Sequence, residues 1–286
     1  MAITSAKLVD GAIESVIYPR ADLHLFKLDA SSPAIRVVAE ERADGDGEVD
    51  TTERHGGRAV SIELLATDTP GDFEEELNFF IRPAARPYLV VKREEWAQYR
   101  RLRLRCDQWS APLLAENAPH VMSLQYQWRA PDGVWEDISE TSFTARANLP
   151  ATVGITFPIT FPITFTPSTS SEPTQTVNVG NAPCHIVAKL YGPCSAPRLT
   201  NETTGEVLAF SESLTLGVGE YVEVDTQART AQLNSVPGLS SSRLSYVDFG
   251  VSTWWQLQPG LQQVRYAPTT PTADTQAVIT FRPRWL

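Results

Sequence analysis

The stretch VMSLQYQW, residues Val121 to Trp128, puts Met122, Leu124, Tyr126 and Trp128 at every second position, with Ser123, Gln125 and Gln127 between them. Successive side chains of an extended chain point to opposite faces, so this spacing gives a β-strand with one apolar and one polar face. A half-buried sheet is therefore expected here, with one face in a core and the other in water.

Upstream, RRLRLRC repeats the pattern with Leu102, Leu104 and Cys106 facing one way and Arg101, Arg103 and Arg105 the other. That arginine face has two readings: a solvated strand whose arginines pair with nearby carboxylates, or a stripe facing a partner or a lumen. LHLFKL (Leu23 to Leu28), AIRVVAE (Ala34 to Glu40), AVSIELLAT (Ala59 to Thr67) and YLVVKR (Tyr88 to Arg93) read as further strands. One helix is expected between the last two, capped by Thr69, opened by Pro70 and ended by Pro83, with Phe73, Leu77, Phe80 and Ile81 as its apolar stripe.

Downstream, GITFPITFPITFTP (Gly154 to Pro167) is a proline-punctuated repeat. With a period of two, Phe157, Ile159, Phe161, Ile163 and Phe165 share one face, and Pro158 and Pro162 remove donors from one edge only. Residues 1–150 hold 17 Lys/Arg and 25 Asp/Glu, against 7 and 9 in residues 151–286. The composition changes at the repeat, which predicts a first domain over 1–150, an interdomain strap over 151–174 and a second domain over 175–286. In the second half, turn signals such as YGPC, TNETTG and LQPG separate short apolar segments, the pattern of an antiparallel β-sandwich or barrel. The expected fold class is mainly β: a β-sandwich or split barrel with one packed α-helix, followed by an antiparallel β-sandwich.

A net charge of −10 argues against bulk electrostatic binding of nucleic acid. The amino terminus lacks a signal-peptide pattern and no apolar run reaches the length of a membrane helix, which points to a protein made and folded in a cytoplasm. His24, His55, His120 and His185 fall in no metal-ligand spacing, so no metal or cofactor is expected, and no nucleophile or base constellation suggests a catalytic residue. The run ADGDGEVD (Ala43 to Asp50) lacks the glycine and glutamate a calcium loop needs and reads as a solvated turn. The doublet Gly56–Gly57 reads as a turn opening a strand rather than a phosphate cradle. Cys184 and Cys194 read as buried thiols. Trp254 and Trp255 invite a sugar-stacking reading, although neighbours on a strand face opposite ways, so at most one would be exposed.

Taken in order, these segments resemble the distal tail proteins of long-tailed bacteriophages, also called siphovirus-type tail components or minor tail proteins. The resemblance rests on Gly56–Arg58, on RPYLVVKRE (Arg86 to Glu94) with the arginine-rich strand, and on the aromatic repeat, which is like one found in minor tail proteins of actinobacterial phages. It is strongest in VNVGNAPCHIVAKLYGPCSAPRLTNETTGEVL (Val177 to Leu208), YVEVDTQARTAQLN (Tyr221 to Asn234), WWQLQPGLQQVRY (Trp254 to Tyr266) and the terminal VITFRPRWL. It implies a structural virion protein of the tail tip and no enzyme. Its first domain would form a homo-oligomeric ring, a hexamer in the family, between the tail tube protein and the tail-associated hub protein, and its second would be a galectin-like sandwich at the periphery. Genome DNA would pass through the lumen without specific binding, and side fibres or a receptor-binding protein would attach outside. Arg101, Arg103 and Arg105 would then face a neighbouring subunit or the tube. The alternatives are a paralogous outer baseplate protein and a carbohydrate-binding receptor-recognition module using Trp254 or Trp255.

Overall fold

The structure, a computed structural model, describes residues 2–41, 46, 48–67, 70–111, 121–147, 173–236 and 239–286. The aromatic repeat, including Phe157, Ile159, Phe161, Ile163 and Phe165, lies outside the described residues, as does Thr69, the expected helix cap. The chain forms two compact units, one of Met1–Ile138 with Arg284–Leu286 and one of Ser139–Pro283. Residues 139–150 had been grouped with the first domain by charge, yet the strand within them pairs in the second unit.

The first unit contains strands β1 (Ile3–Asp10), β2 (Ile13–Tyr18), β3 (Leu23–Ala30), β4 (Ile35–Glu41), β5 (Glu48–His55) and β6 (Arg58–Thr67), then helix α1 (Pro70–Asn78). It continues with β7 (Tyr88–Arg93), β8 (Arg100–Arg103), β9 (Arg105–Ser110), β10 (Val121–Ala130) and β11 (Trp135–Asp137). Among the described strands β4 and β5 pair only with each other, and the acidic run between Ala43 and Asp50 lies partly outside the described residues. The others form a four-stranded antiparallel sheet, in the order β3-β6-β10-β9, and most of a larger one.

The core between these sheets takes Leu124, Tyr126 and Trp128 from β10, Val60, Ile62 and Leu64 from β6, and Leu8, Leu89 and Leu102 from the larger sheet. The alternation in VMSLQYQW thus decides which face is buried. Phe73, Leu77 and Phe80 from α1 join the same core, although the helix stops at Asn78 and the chain reaches Phe80 through a turn, sooner than Pro83 would require. Gly56 and Gly57, expected as a turn, are instead a short irregular link from β5 into β6, with the Gly56 N–H donating to the Ala34 carbonyl at 2.6 Å. A Cβ on Gly57 would lie 3.0 Å from the Ala130 carbonyl oxygen, while Gly133, at φ +68°, approaches the Gly56 carbonyl so closely that a Cβ would sit at 2.5 Å. Only glycine fits at position 133 without displacing backbone.

The arginine-rich segment is not one strand. β8 belongs to the larger sheet and β9 to the four-stranded one, and the chain changes sheet at Leu104, which is fully buried. Arg101 and Arg105 therefore lie on different sheets.

The second unit contains β12 (Thr141–Arg146), β13 (Thr174–Asn178), β14 (Ile186–Tyr191), β15 (Cys194–Ser195), β16 (Arg198–Asn201), β17 (Glu206–Ala209), β18 (Thr215–Leu216), β19 (Tyr221–Asp225), β20 (Thr230–Val236), β21 (Leu239–Ser242), β22 (Gly260–Tyr266) and β23 (Gln276–Phe281). A six-stranded sheet, β12-β23-β14-β19-β20-β21, and a four-stranded sheet, β13-β22-β16-β17, contribute to one core; β15 and β18 pair separately. Ile186, Ala188 and Leu190 face that core at alternate positions, opposite Leu199, Val264 and Tyr266. Two of its buried amides are paired: the Asn178 amide donates to the Ala182 and Leu257 carbonyls at 3.2 and 3.1 Å, and the Asn201 amide donates to Gln262 Oε1 at 3.2 Å, whereas the Trp255 indole N–H is buried with no partner among the described residues. Cys184 and Cys194 are buried thiols outside any disulfide among the described residues, the Cys184 thiol donating to the Leu257 carbonyl at 3.6 Å.

The last residues complete the first unit. β24 (Arg284–Trp285) pairs with β11, giving the six-stranded order β2-β1-β7-β8-β11-β24. Glu136 stands between two arginines in this sheet, 3.1 Å from Arg101 and 2.6 Å from Arg284. Burial alone would raise the Glu136 pKa, but the charges and hydrogen bonds of Arg284 and Arg101 outweigh it and hold the carboxyl below the usual glutamate range. Asp137 is pushed up by burial, and this is only partly offset by the Trp285 indole, which donates to its Oδ1 at 2.9 Å, and by Arg100. The Arg100 guanidinium lies 4.4 Å from the Trp96 ring centre and 3.9 Å from that of Trp285.

Two predictions follow from these cores. The Tyr126 hydroxyl is buried with no hydrogen-bond partner among the described residues. Tyr126→Phe should therefore raise stability by about 1 kcal/mol in chemical denaturation, because no bond is lost and an unpaired hydroxyl leaves the core. Glu136→Gln should cost about 3 kcal/mol at neutral pH. Because the folded pKa of Glu136 is depressed, its contribution is complete above the unfolded carboxylate range and lost as pH falls through the folded value. The gap between wild type and variant should thus close below about pH 4 in pH-dependent unfolding.

Candidate functional site: a polar sheet face with two open edges

The outward face of β3-β6-β10-β9 is a polar surface of the first unit that spans four strands. Asp29, Ser61, Gln127 and Gln108 are successive cross-strand partners, forming one row across four strands. Lys27, Glu63, Gln125 and Ser110 form the next, and Ala59, Arg129 and Arg105 a third. These are the positions between the core residues, so the alternation that buries Tyr126 and Trp128 also puts Gln125, Gln127 and Arg129 in water.

The charges on this face balance. Lys27, Arg105 and Arg129 oppose Asp29, Glu63 and Asp107, and two pairs are close: Lys27–Glu63 at 3.9 Å and Arg105–Asp107 at 3.0 Å. Both are well exposed and contribute little to stability. Their effect is to cancel the local field. A shallow trough of about 200 Å³ crosses the face, lined by Asp29, Ser31, Ala59, Ser61, Asp107 and Arg129 among others. The small residues Ala59 and Ser61 leave room there, and Val60 and Trp128 also contribute to the lining.

The two edges differ from the face. Among the described strands nothing pairs with the outer side of β3 or of β9. Each carries an exposed aromatic ring. Phe26, 70% exposed, sits where the β3–β6 register slips between Leu25 and Lys27, so a bulge turns it out of the ladder. Trp109 on β9 is 41% exposed. Consecutive pairs in this sheet are all antiparallel, so with four strands the two edges run in opposite directions.

The sequence-predicted residues separate. Arg105 belongs to the polar face and is paired with Asp107. Arg101 lies on the other sheet, bonded to Glu136 and 4.4 Å from the Tyr88 ring centre. Arg103 is exposed on β8. In the second unit Trp255 is buried in the core and Trp254 packs half-buried against it, so the two do not form a joint exposed platform. No group of His, Cys, Asp and Glu among the described residues is arranged to hold a metal ion. Phe26 was missed because an apolar residue within LHLFKL gives no sequence sign of the bulge.

Residues 179–285 match the family model of the siphovirus-type tail component, C-terminal domain. The matched span lies within the second unit apart from Arg284 and Trp285. No curated protein matches the chain by sequence. Both units together are similar in fold to the SPP1 Dit (gp 19.1) protein, whose structure is described as a paradigm of the hub adsorption apparatus in phages infecting Gram-positive bacteria. The TM-score is 0.66 at 12% identity, covering 98% of this chain and 99% of that one. A chain of the phage P2 baseplate in its activated conformation with calcium gives a TM-score of 0.53 at 12% identity, covering 99% and 98%. At such identity the likeness is one of fold. It spans both units alike.

Proposed function

We propose that this protein is a structural component of a phage tail tip: a ring-forming hub that joins the tail tube to the baseplate and lets DNA pass through its centre. The observation that carries this reading is coverage, because the fold likeness to a hub protein runs through both units and leaves almost none of either chain over. The second unit, with its tail-component match, would stand at the periphery as the attachment point for outer parts.

The polar face gives the reading a physical basis. A surface that DNA passes at close range must neither hold phosphates nor offer apolar footholds, and a sheet face of balanced charges and amides does neither. The open edges supply a route to closure. An edge of β3 meeting β9 of the next copy would continue the antiparallel alternation, and a head-to-tail contact of this kind closes into a ring when its rotation permits. Phe26 and Trp109 would be covered there. In this arrangement Arg105 lines the passage, whereas Arg101 is committed within its own chain.

Native mass spectrometry of the purified protein, alone and with its tube and hub neighbours, tests the ring directly, with a hexamer expected. A chain that stays monomeric under every condition sinks the proposal. Phe26→Asp and Trp109→Glu should each reduce the oligomer at least tenfold at fixed concentration while leaving the circular dichroism unchanged. Asp29→Lys with Glu63→Lys should leave the ring intact but make it retain duplex DNA in a salt-dependent way, measured by gel shift across a salt series.

A further inference from the structure

The second unit exposes an apolar pair at an open strand edge. β13 stands at the end of the sheet β13-β22-β16-β17, and among the described strands nothing pairs with its outer side. Val177 on β13 lies directly opposite Leu261 on β22, and the two are 50% and 54% exposed, with Val179 just beyond the strand at 60%. An open edge beside apolar side chains invites pairing with another chain, and folded proteins cover such edges or blunt them. The register shows which residues present this edge. The Glu202 N–H donates to the Gln263 carbonyl at 2.8 Å, so Gln263 turns its backbone groups toward β16. By alternation Gln262 and Val264 turn theirs toward β13, where they meet Thr176 and Thr174. Gln175 and Val177 are therefore the residues whose N–H and carbonyl groups point out of the open edge.

The chain that leads into this strand is the aromatic repeat. Residues 148–172 join β12 to β13, both strands of the second unit, and Thr174 Oγ1 donates to the Thr144 carbonyl at 3.4 Å, so the chain comes back beside the strand it left. Pro158 and Pro162 remove donors from one edge of an extended repeat and spare the edge of Phe157, Ile159, Phe161, Ile163 and Phe165. We infer that the repeat is the outermost strand of this sheet, antiparallel to β13 and bonded through its Phe/Ile edge to Gln175 and Val177. Residues that exchange hydrogen bonds in an antiparallel pair stand directly opposite and project from the same face. Pairing through the one edge that the prolines spare thus also lays the Phe and Ile side chains beside Val177 and Leu261. The proline edge then faces water and ends the sheet. The link 166–173, with Pro167, Ser168, Ser170 and Ser171, suits a turn and is shorter than the dozen or so residues a parallel crossover needs. β12, the other edge within reach, exposes only the polar side chains of Thr141, Ser142, Thr144 and Arg146. A repeat in this place belongs to the second unit, and the inference stands whether or not a ring forms.

The test uses the full-length chain and reads amide hydrogen exchange at Gln175 and Val177, with β14 and β19 as the control for folding. In wild type both amides should exchange at least about tenfold more slowly than in an unstructured peptide, independently of protein concentration. Ile159→Pro, which places a proline on the pairing edge, should remove that protection, whereas Thr160→Pro, which adds one to the edge already blunted, should leave it unchanged. Peptide-like exchange at Gln175 and Val177 in wild type would overturn the inference. So would equal loss of protection in the two proline variants, since the choice of edge would then not matter. Protection that falls on dilution would assign the covering strand to a second copy and would overturn it too. If Ile159→Pro also exposed β14, the wild-type rates, their concentration dependence and Thr160→Pro would decide.

Discussion

Glu136 is the group on which the first unit closes. Two arginines from different parts of the chain converge on one carboxylate of β11, the last strand but one of the six-stranded sheet: Arg101 from the neighbouring strand β8 and Arg284 from the edge strand β24, 148 residues further on. Burying a carboxylate is costly, and the cost is offset only while both partners are in place. The depressed pKa of Glu136 reflects that balance. Removing either arginine leaves a charge in a poor solvent, so one buried anion ties β8 and β11 to β24.

The second constraint is the change of sheet at Leu104. A chain cannot run along one edge of a sandwich core and then the other without a residue that faces both, and Leu104 is fully buried at that corner. Consequently, residues four apart that look equivalent by alternation take different neighbours: Arg101 meets Glu136, Arg105 meets Asp107 on the opposite sheet. The arginine stripe is regular in sequence and divided in space.

These two features mark what the sequence could disclose. The strands, their inward faces and the packed helix were legible because burial follows a period of two or of nearly four, and Leu124, Tyr126, Trp128, Phe73 and Leu77 all lie where those periods put them. The polar face was half legible, since Gln125 and Gln127 announce a wet side but not which strands complete it. The corner at Leu104 was hidden because alternation continues through it unchanged. The bulge at Phe26 was hidden for the same reason, as nothing local distinguishes a residue in the ladder from one squeezed out of it. Least legible was the return of Arg284 and Trp285, which depends on a pairing across the whole second unit. Composition placed a boundary near the aromatic repeat, whereas contacts divide the chain at Ile138, because charge density follows solvent exposure rather than strand pairing.

On the proposed reading, the charge distribution resolves an apparent conflict. The first 150 residues carry a net charge of −8, which suggests a passage that repels DNA, yet the polar face sums to zero. The acidic excess lies elsewhere, including Glu40, Glu41, Glu48, Asp50 and Glu53 in the β4–β5 hairpin. At physiological salt, fields fade within about 8 Å, so what a passing duplex meets is the nearest layer of side chains and not the protein's net charge. A strongly negative lining would oppose DNA as it enters, and a positive one would hold it. Paired charges and amides minimise both effects, and they do so with exposed ion pairs too weak to matter for folding. The selection for such a surface would therefore be visible in its charge balance rather than in its stability.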